Sequence, residues 1–482
     1  VTHLRLLALS SLVAGTVVLP ACAVNPPPTR TEIQDQAGTT TLPLDQPWRA
    51  SSVPAGGIQD DWLAGFGDAE LSALVAEAVA NNPDLRMTAL RVEQAAVYVR
   101  IAQAELRPKV NIFGTGGTNL SGGDLTSALQ GGMLGISWEP DLWGRLRYAR
   151  NAAQEAHASI AADQEFARQS LAANVAKTWF TATQIQLERR VAEAMAEAAQ
   201  GLIELEVERA RVGAGNELDV AVARARRASL EDSVRQLDLA HTQTLRALEL
   251  LLGRYPAAEL VAPRELPALP AGIPAGFPLE MLERRPDIVA AERRVAAAFN
   301  RVGEAKAARL PRIVLSASVA AVRSDILELK DDFENPSAGL GARLLAPLYQ
   351  GGALKAQVEV RTLEQQEALA DYARLALRAL GDVENALAAA ASLAERETLL
   401  GLVVDQQRQA LEHAETGFRV GSRDQRAVLE RQLDLESARL VLLGVQSERL
   451  AQRVNLHLAL GGSFELPPAV AQAEAPTEDS EQ

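Results

Sequence analysis

Few residues in this 482-residue chain have the type and spacing that chemistry needs. The five histidines, His3, His157, His241, His413 and His457, are scattered, with no spacing that would bring two of them to one metal ion. The single cysteine, Cys22, has no partner for an internal disulfide. Gly114, Gly116 and Gly117 lie close together, but no Lys-Ser/Thr follows to complete a phosphate loop, and they read as strand glycines. What remains is a field of carboxylates and guanidiniums, Lys+Arg 48 against Asp+Glu 62, for a formal net charge of −14. That balance argues against a nucleic-acid binder, which needs a basic face for phosphates. It leaves two readings, a surface kept soluble by its charge or the negative lining of a conduit. No enzyme, metal or cofactor signature emerges, so the question passes to the elements that would position the charges.

His3 and Arg5 precede an apolar run from Leu6 to Leu19, then Pro20, Ala21 and Cys22. At about 14 residues the run falls short of the roughly 20 needed to span a bilayer, so residues 1–22 are expected to be an export signal. LPAC resembles the lipobox of bacterial lipoproteins, although Pro20 is unusual there; the resemblance implies lipidation of Cys22, which would add membrane affinity. The alternative is an exported protein with an incidental cysteine. Ala23, where the sorting pattern for inner-membrane retention has Asp, implies transfer to the outer membrane. From 23 to 60 the chain is rich in Pro, Thr and Gln and reads as an extended tether without a core of its own.

The stretch Ser137–Arg147, SWEPDLWGRLR, joins two kinds of structure. Before it, Ile136 and Trp138 fall on one face and Gly135 and Ser137 on the other, the alternation of a membrane-facing strand. After it, neither Gly nor Pro occurs from Arg145 to Gln200, so a helix reaching Arg211 would be roughly 100 Å long. Upstream, Leu71, Leu74, Val75 and Ala78 mark an amphipathic helix, and a second helix opens at Pro83 and stops at Pro108. Residues 109–139 then read as a hairpin with a polar apex at Ser121–Asp124. Phe113, Trp138 and Trp143 near its base are either interface anchors or simple packing. The glycines of Arg211-Val212-Gly213-Ala214-Gly215 allow a sharp reversal. In the return helix Leu230, Val234, Leu237, His241, Leu245, Leu248 and Leu252 form a coiled-coil seam, with His241 read as a packed core histidine.

The same plan returns about 200 residues later. Pro286-Asp287-Ile288 answers Pro83-Asp84-Leu85, and Leu310-Pro311-Arg312 answers Arg107-Pro108-Lys109. LLAPLYQGG, Leu344 to Gly352, answers the strand-to-helix junction; Arg419-Val420-Gly421 answers Arg211-Val212-Gly213, and Gly461 answers Gly253. The expected organisation is repeat 1 at 61–253 (hairpin 109–139, long helix 144–212, return helix 216–252) and a linker at 254–278. Repeat 2 follows at 279–462 (hairpin 312–347, long helix 352–420, return helix 422–460), with a disordered acidic tail at 463–482.

Lengths support this plan. In repeat 1 the helix before the hairpin (about 24 residues) and the return helix (about 37) nearly equal the long helix (about 68), so the two short helices could stack end to end beside it. Four strands are too few to close a membrane barrel, and an open edge cannot face lipid. Three chains would supply twelve. The expected fold is mainly α with a small membrane β-barrel: a trimeric twelve-strand barrel, four strands per chain, continued by a long α-helical periplasmic barrel.

At this point the chain resembles the outer-membrane factors of tripartite efflux pumps, the TolC-type proteins, and specifically their NodT lipoprotein branch. The likeness rests on SWEPDLWGRLR, its echo APLYQGG, the paired PDL/PDI and RPK/LPR marks and the two RVG turns, and covers about Trp62 to Gly462. It implies a passive homotrimeric duct in the bacterial outer membrane, lipid-anchored and reaching into the periplasm, that exports small molecules without catalysing anything. The implied partners are a periplasmic adaptor and an inner-membrane transporter, besides the outer-membrane lipid. By the same resemblance Arg211, Val212, Gly213, Arg419, Val420 and Gly421 are adaptor-binding tips, or simply reversal turns. The implied periplasmic gate contains Glu430, with Asp219, Asp424 and Arg423 as weaker members; the bland reading of Glu430 is a solvated helix charge. Where the family usually has an Arg three residues after the gate acid, this chain has Leu433, which questions the usual salt-bridge lock. Export of a protein or peptide, and a non-conducting periplasmic coiled-coil scaffold, are the alternative functions.

Overall fold

The structure, a computed structural model, describes residues 24–465 except 51–56, 59, 116–129, 271, 273–274 and 324–336. Cys22 and the expected signal, the hairpin apex Ser121–Asp124 and residues 466–482 of the tail lie outside the described residues. The helices are α1 Arg30–Gln36, α2 Ala69–Asn81, α3 Pro83–Ala104, α4 Arg145–Arg211, α5 Glu217–Leu251, α6 Pro278–Arg284, α7 Pro286–Ala307, α8 Ala353–Arg419 and α9 Gln425–Leu460. The strands are β1 Lys109–Thr115, β2 Gln130–Trp138, β3 Arg312–Arg323 and β4 Ser337–Leu345. They belong to two compact units, the first made of Val1–Thr41, Leu90–Ala162 and Ala290–Arg374, the second of Leu42–Ala89, Asp163–Val289 and Leu375–Gln482.

The first unit carries one antiparallel sheet of order β1-β2-β3-β4, so β1 and β4 are both free edges within the chain. Residues opposite each other in the register share a face. Ile112 pairs with Leu134, Ile136 with Ala317, Trp138 with Leu315 and Leu344 with Ile313, giving one face that is apolar except for the pair Gln130–Arg323 at the end of the ladder. Lys109 pairs with Ser137, Val314 with Arg343, and Ser316 with Gly341 on the other face, which carries all of the polar groups just named. An apolar face of this height, with Ile112 82 % and Leu340 92 % exposed, suits lipid, and the opposite face suits a wet lumen. Among the described residues no helix is long and apolar enough to cross a membrane.

The strand-to-helix junction before α4 is held by its acids. Asp141 accepts the backbone N–H of Leu146 (3.1 Å) and Arg147 (3.0 Å), capping α4, and pairs with the Arg147 guanidinium at 3.2 Å. Glu139 takes Arg145 Nη2 at 3.1 Å on both oxygens. Trp138 and Trp143 use their indole N–H groups internally, donating to the carbonyls of Leu106 (3.0 Å) and Pro311 (2.6 Å), just before β1 and β3.

The N-terminal segment differs from the expected core-less tether. After an extended start, Thr29 and Glu32 make a capping box for α1, and Ile33 is fully buried. Arg30 pairs with Glu292 at 2.8 Å, and Asn25 N–H donates to the Tyr148 hydroxyl. In the second unit Trp48 is buried and donates its indole N–H to Ala275 O. Pro- and Thr-rich composition hid this because a few well-placed anchors suffice to dock a strap that has no regular hydrophobic period. The start of the expected disordered tail, residues 463–465, is likewise ordered: Phe464 is buried beneath the Arg168 guanidinium, 4.7 Å from its ring.

The second unit's core gathers Leu71, Leu74, Trp179, Phe180, Leu248, Leu252 and Val454, and Trp179 donates to the α2 cap residue Asp68 at 2.9 Å. It also contains two end-to-end helix joints. The Asn82 side chain accepts from Leu85 N–H at the start of α3 and donates to Leu251 O at the end of α5, at 2.9 Å. Gly253 makes the close approach possible: a Cβ there would lie 2.7 Å from Asn81 O, and its φ is +74°. At the equivalent joint, Arg285 donates to Ala459 O at the end of α9, 3.3 Å, and pairs with Asp287 in the first turn of α7. His241, expected to be a packed core histidine, is half-buried: its Nε2 is buried, and the charges of Arg189 and Asp238 act on it.

Candidate functional site

The charged groups singled out in the sequence meet where α4 turns into α5 and α8 into α9, all in the second unit. Both reversals close the same way. Ala214 and Gly215 N–H donate to Arg209 O (2.8 and 3.0 Å), and Ser422 and Arg423 N–H donate to Gly417 O (2.8 and 3.2 Å). Gly213 (φ +78°) and Gly421 (φ +75°) take the left-handed conformation that a side chain would resist. Asn216 caps α5 through Asp219 N–H, and Asp424 caps α9 through Ala427 N–H, both at 3.0 Å. Val212 and Val420 stand 59 % and 73 % exposed. Arg211 pairs with Glu208 at 2.5 Å, lowering the Glu208 pKa, while Arg419 donates to the Thr416 hydroxyl and has no carboxylate partner among the described residues.

Behind the turns a chain of ion pairs ties α4 to α9. Asp424, besides capping, takes Arg209 Nη1 at 3.2 Å. Arg209 Nε and Arg426 Nη1 each stand 3.6 Å from the Glu206 carboxylate, and Arg426 Nε donates to Glu430 at 3.0 Å. The hydrogen bond to Glu430 and the charge of Glu206 raise the Arg426 pKa above its ordinary value, with a contribution from Asp219. Asp424 and Glu430 are thus brought into one network; Asp219 joins it only through its field, and Arg423 is exposed with no carboxylate partner among the described residues. Leu433 cannot serve as a lock: it is 1 % exposed, in a cluster with Met195, Leu202 and Ala223.

Glu206 is the residue the sequence did not single out. Its side chain is 4 % exposed, and neither carboxylate oxygen has a hydrogen bond among the described residues, so two guanidiniums at 3.6 Å must offset its desolvation. Its only signal in sequence is a position about two turns before Gly213, shared with Glu204 and Glu208.

A family model described as "Outer membrane efflux protein" matches residues 74–254 and again 278–462, one match for each half of the internal repeat. The chain belongs to this outer membrane efflux protein family. Among curated relatives, the pyoverdine export outer membrane protein OpmQ of Pseudomonas putida is 31% identical over 98% of this chain and 99% of its own length. The cation efflux system protein CusC of Escherichia coli is 29% identical over 84% of this chain and 88% of its own. The solved structure of the outer-membrane channel OprN matches with a TM-score of 0.75 at 27% identity, covering 87% of this chain and 99% of that one. The protein is an outer-membrane efflux channel of a bacterial envelope, and the family's fold is a trimer in which the four strands of each chain contribute to a shared barrel.

Proposed function

We propose that this chain is the passive outer-membrane duct of a tripartite pump, closed at its helical reversals by the pairs Arg209–Asp424 and Glu206–Arg426–Glu430. The observation that carries the reading is Glu206, a buried carboxylate on α4 held by a guanidinium on α9. Such a pair resists separation of the two helices, because parting them strands a charge away from its partner. The paired turns around Gly213 and Gly421, with their exposed valines, are the surface offered to a periplasmic adaptor, and an inner-membrane transporter supplies the energy. The cargo class follows the relatives, whose names specify pyoverdine, toluene and cations. No relative favours protein export or a non-conducting scaffold. Lipidation at Cys22 completes the proposal and is checked by mass spectrometry of the mature N-terminus.

Single-channel recording of reconstituted trimers tests the gate. Glu206→Gln and Glu430→Ala are expected to raise conductance, and Glu430→Ala to increase cation leak by opening the latch. Unchanged conductance and selectivity in both variants would remove this network from the gate.

A further inference from the structure

The four strands contain Lys109, Arg312, Arg323 and Arg343 but no Asp or Glu, in a chain whose net charge is −14. Three of those four cations share the face opposite the apolar one. Arg343 pairs in register with Val314, and Arg312, two residues before Val314 on the same face, pairs with Leu345. Arg312 and Arg343 are therefore diagonal neighbours, a separation that long side chains bridge. Both are exposed, and neither has a carboxylate partner among the described residues, whereas Lys109 is neutralised by Glu105 at 2.6 Å. Gly341 and Gly339 precede Arg343 on this face, so on that side of β4 no side chain flanks the guanidinium. A Cβ at Gly341 would lie 2.9 Å from the Ser316 hydroxyl oxygen, so that hydroxyl occupies the space beside the arginines.

We propose that Arg312 and Arg343 form a basic collar on the lumen face of the strands that recognises anionic solutes, phosphate-like or carboxylate-bearing, during export. The inference rests on the channel reading above and adds a substrate class to it. Closing the barrel sets β1 of the next copy beside β4, and β1 brings Lys109 and Asn111 to this face but no carboxylate. Two guanidiniums per copy then surround one aqueous path. Their spacing falls within a screening length of about 8 Å at physiological salt, so their fields add in the confined lumen. The planar guanidinium fork matches oxyanions in pairs of hydrogen bonds.

The test uses reconstituted full-length trimers with inorganic tripolyphosphate added on the barrel side. Wild type is expected to show concentration-dependent block. Arg312→Gln/Arg343→Gln should weaken it about tenfold and lower the chloride-over-potassium permeability ratio about threefold. Arg312→Lys/Arg343→Lys, which keeps the charge, should retain most of the block. Block that persists in the Gln variant, or is lost equally in the Lys variant, overturns the collar. An effect seen only with anionic lipid, and absent in pure phosphatidylcholine, assigns the arginines to headgroups and overturns it too. Calorimetric titration of tripolyphosphate onto solubilised trimers needs no open pore: equal binding by wild type and the Gln variant overturns the collar, whereas absence of any current overturns the channel reading alone.

Discussion

Glu249 and His457 occupy equivalent places near the ends of α5 and α9, and both are nearly fully buried, yet the two repeats solve the same packing problem with opposite chemistry. Glu249 accepts backbone N–H groups from Ala258 (2.6 Å) and Glu259 (2.7 Å), wrapping the following loop around a carboxylate and holding Ala258 at φ +60°. Burial pushes its pKa up, but these backbone hydrogen bonds, with those of Leu260 and Ala257, outweigh burial and leave it lowered. His457 instead stacks on Trp62, ring centroids 5.9 Å apart, with a buried Nδ1 that has no partner among the described residues. Burial, aided by the charge of Arg453 and only partly opposed by Asp60, lowers its pKa to about 3. One joint is organised by a charge that must stay ionised, the other by a ring that must stay neutral.

The largest effect is expected from Glu249→Ala. It leaves buried N–H groups unpaired and should cost about 3 kcal/mol, read as a drop in the thermal midpoint, whereas His457→Leu at pH 7.5 should change stability by less than about 1 kcal/mol. Equal losses would erase the contrast between the two joints.

Acidification sharpens it. His457 has a folded pKa below its unfolded value of 6.5, so its contribution is intact above pH 6.5 and drains away as the pH falls towards 3. Wild type should therefore lose on the order of 2 kcal/mol between pH 6.5 and 5, and His457→Leu should flatten that slope. Glu249 is also lowered, from 4.5, so its share is present above that value and is lost only at more acid pH. A single transition with no change in the His457→Leu variant would show that the ring does not titrate with folding.

The smallest effects belong to the strand-to-helix junctions, where the repeats differ again. The first is bound by Asp141, Glu139 and two indoles, and a Cβ at Gly144 (φ +78°) would lie 2.7 Å from a Val24 methyl. In the second, Leu348 and Tyr349 are 95 % and 89 % exposed, and Gly352 (φ +86°) has nothing within 4 Å of a built Cβ. Gly144→Ala should cost about 2 kcal/mol and Gly352→Ala about 1 kcal/mol, the difference being the steric part. Chemical denaturation of the two variants measures it, and identical midpoints would mean the N-terminal strap yields freely.

Much of this was open to reading in the residue order. Ile136 and Trp138 declare a shared strand face because the period of two is set by backbone geometry, and the register agrees. The glycines of both RVG turns declare reversals because only the left-handed conformation closes them. The docked strap at Ile33 and Trp48 gave no such sign, since isolated anchors have no period. Nor did Glu206, whose pairing with Arg426 depends on how α4 and α9 pack. Leu433, conspicuous as a departure, proved to be core for the same reason.

Residue order alone determined the duplication, the long uninterrupted helices and the alternating strands, because propensity and periodicity act between near neighbours. Tertiary structure alone decided which acid meets which guanidinium, why Glu249 stays charged and His457 neutral, and that Arg312 and Arg343 become diagonal neighbours across two strands. Those outcomes depend on burial and on distances between residues far apart in the chain, and neither is written in local spacing.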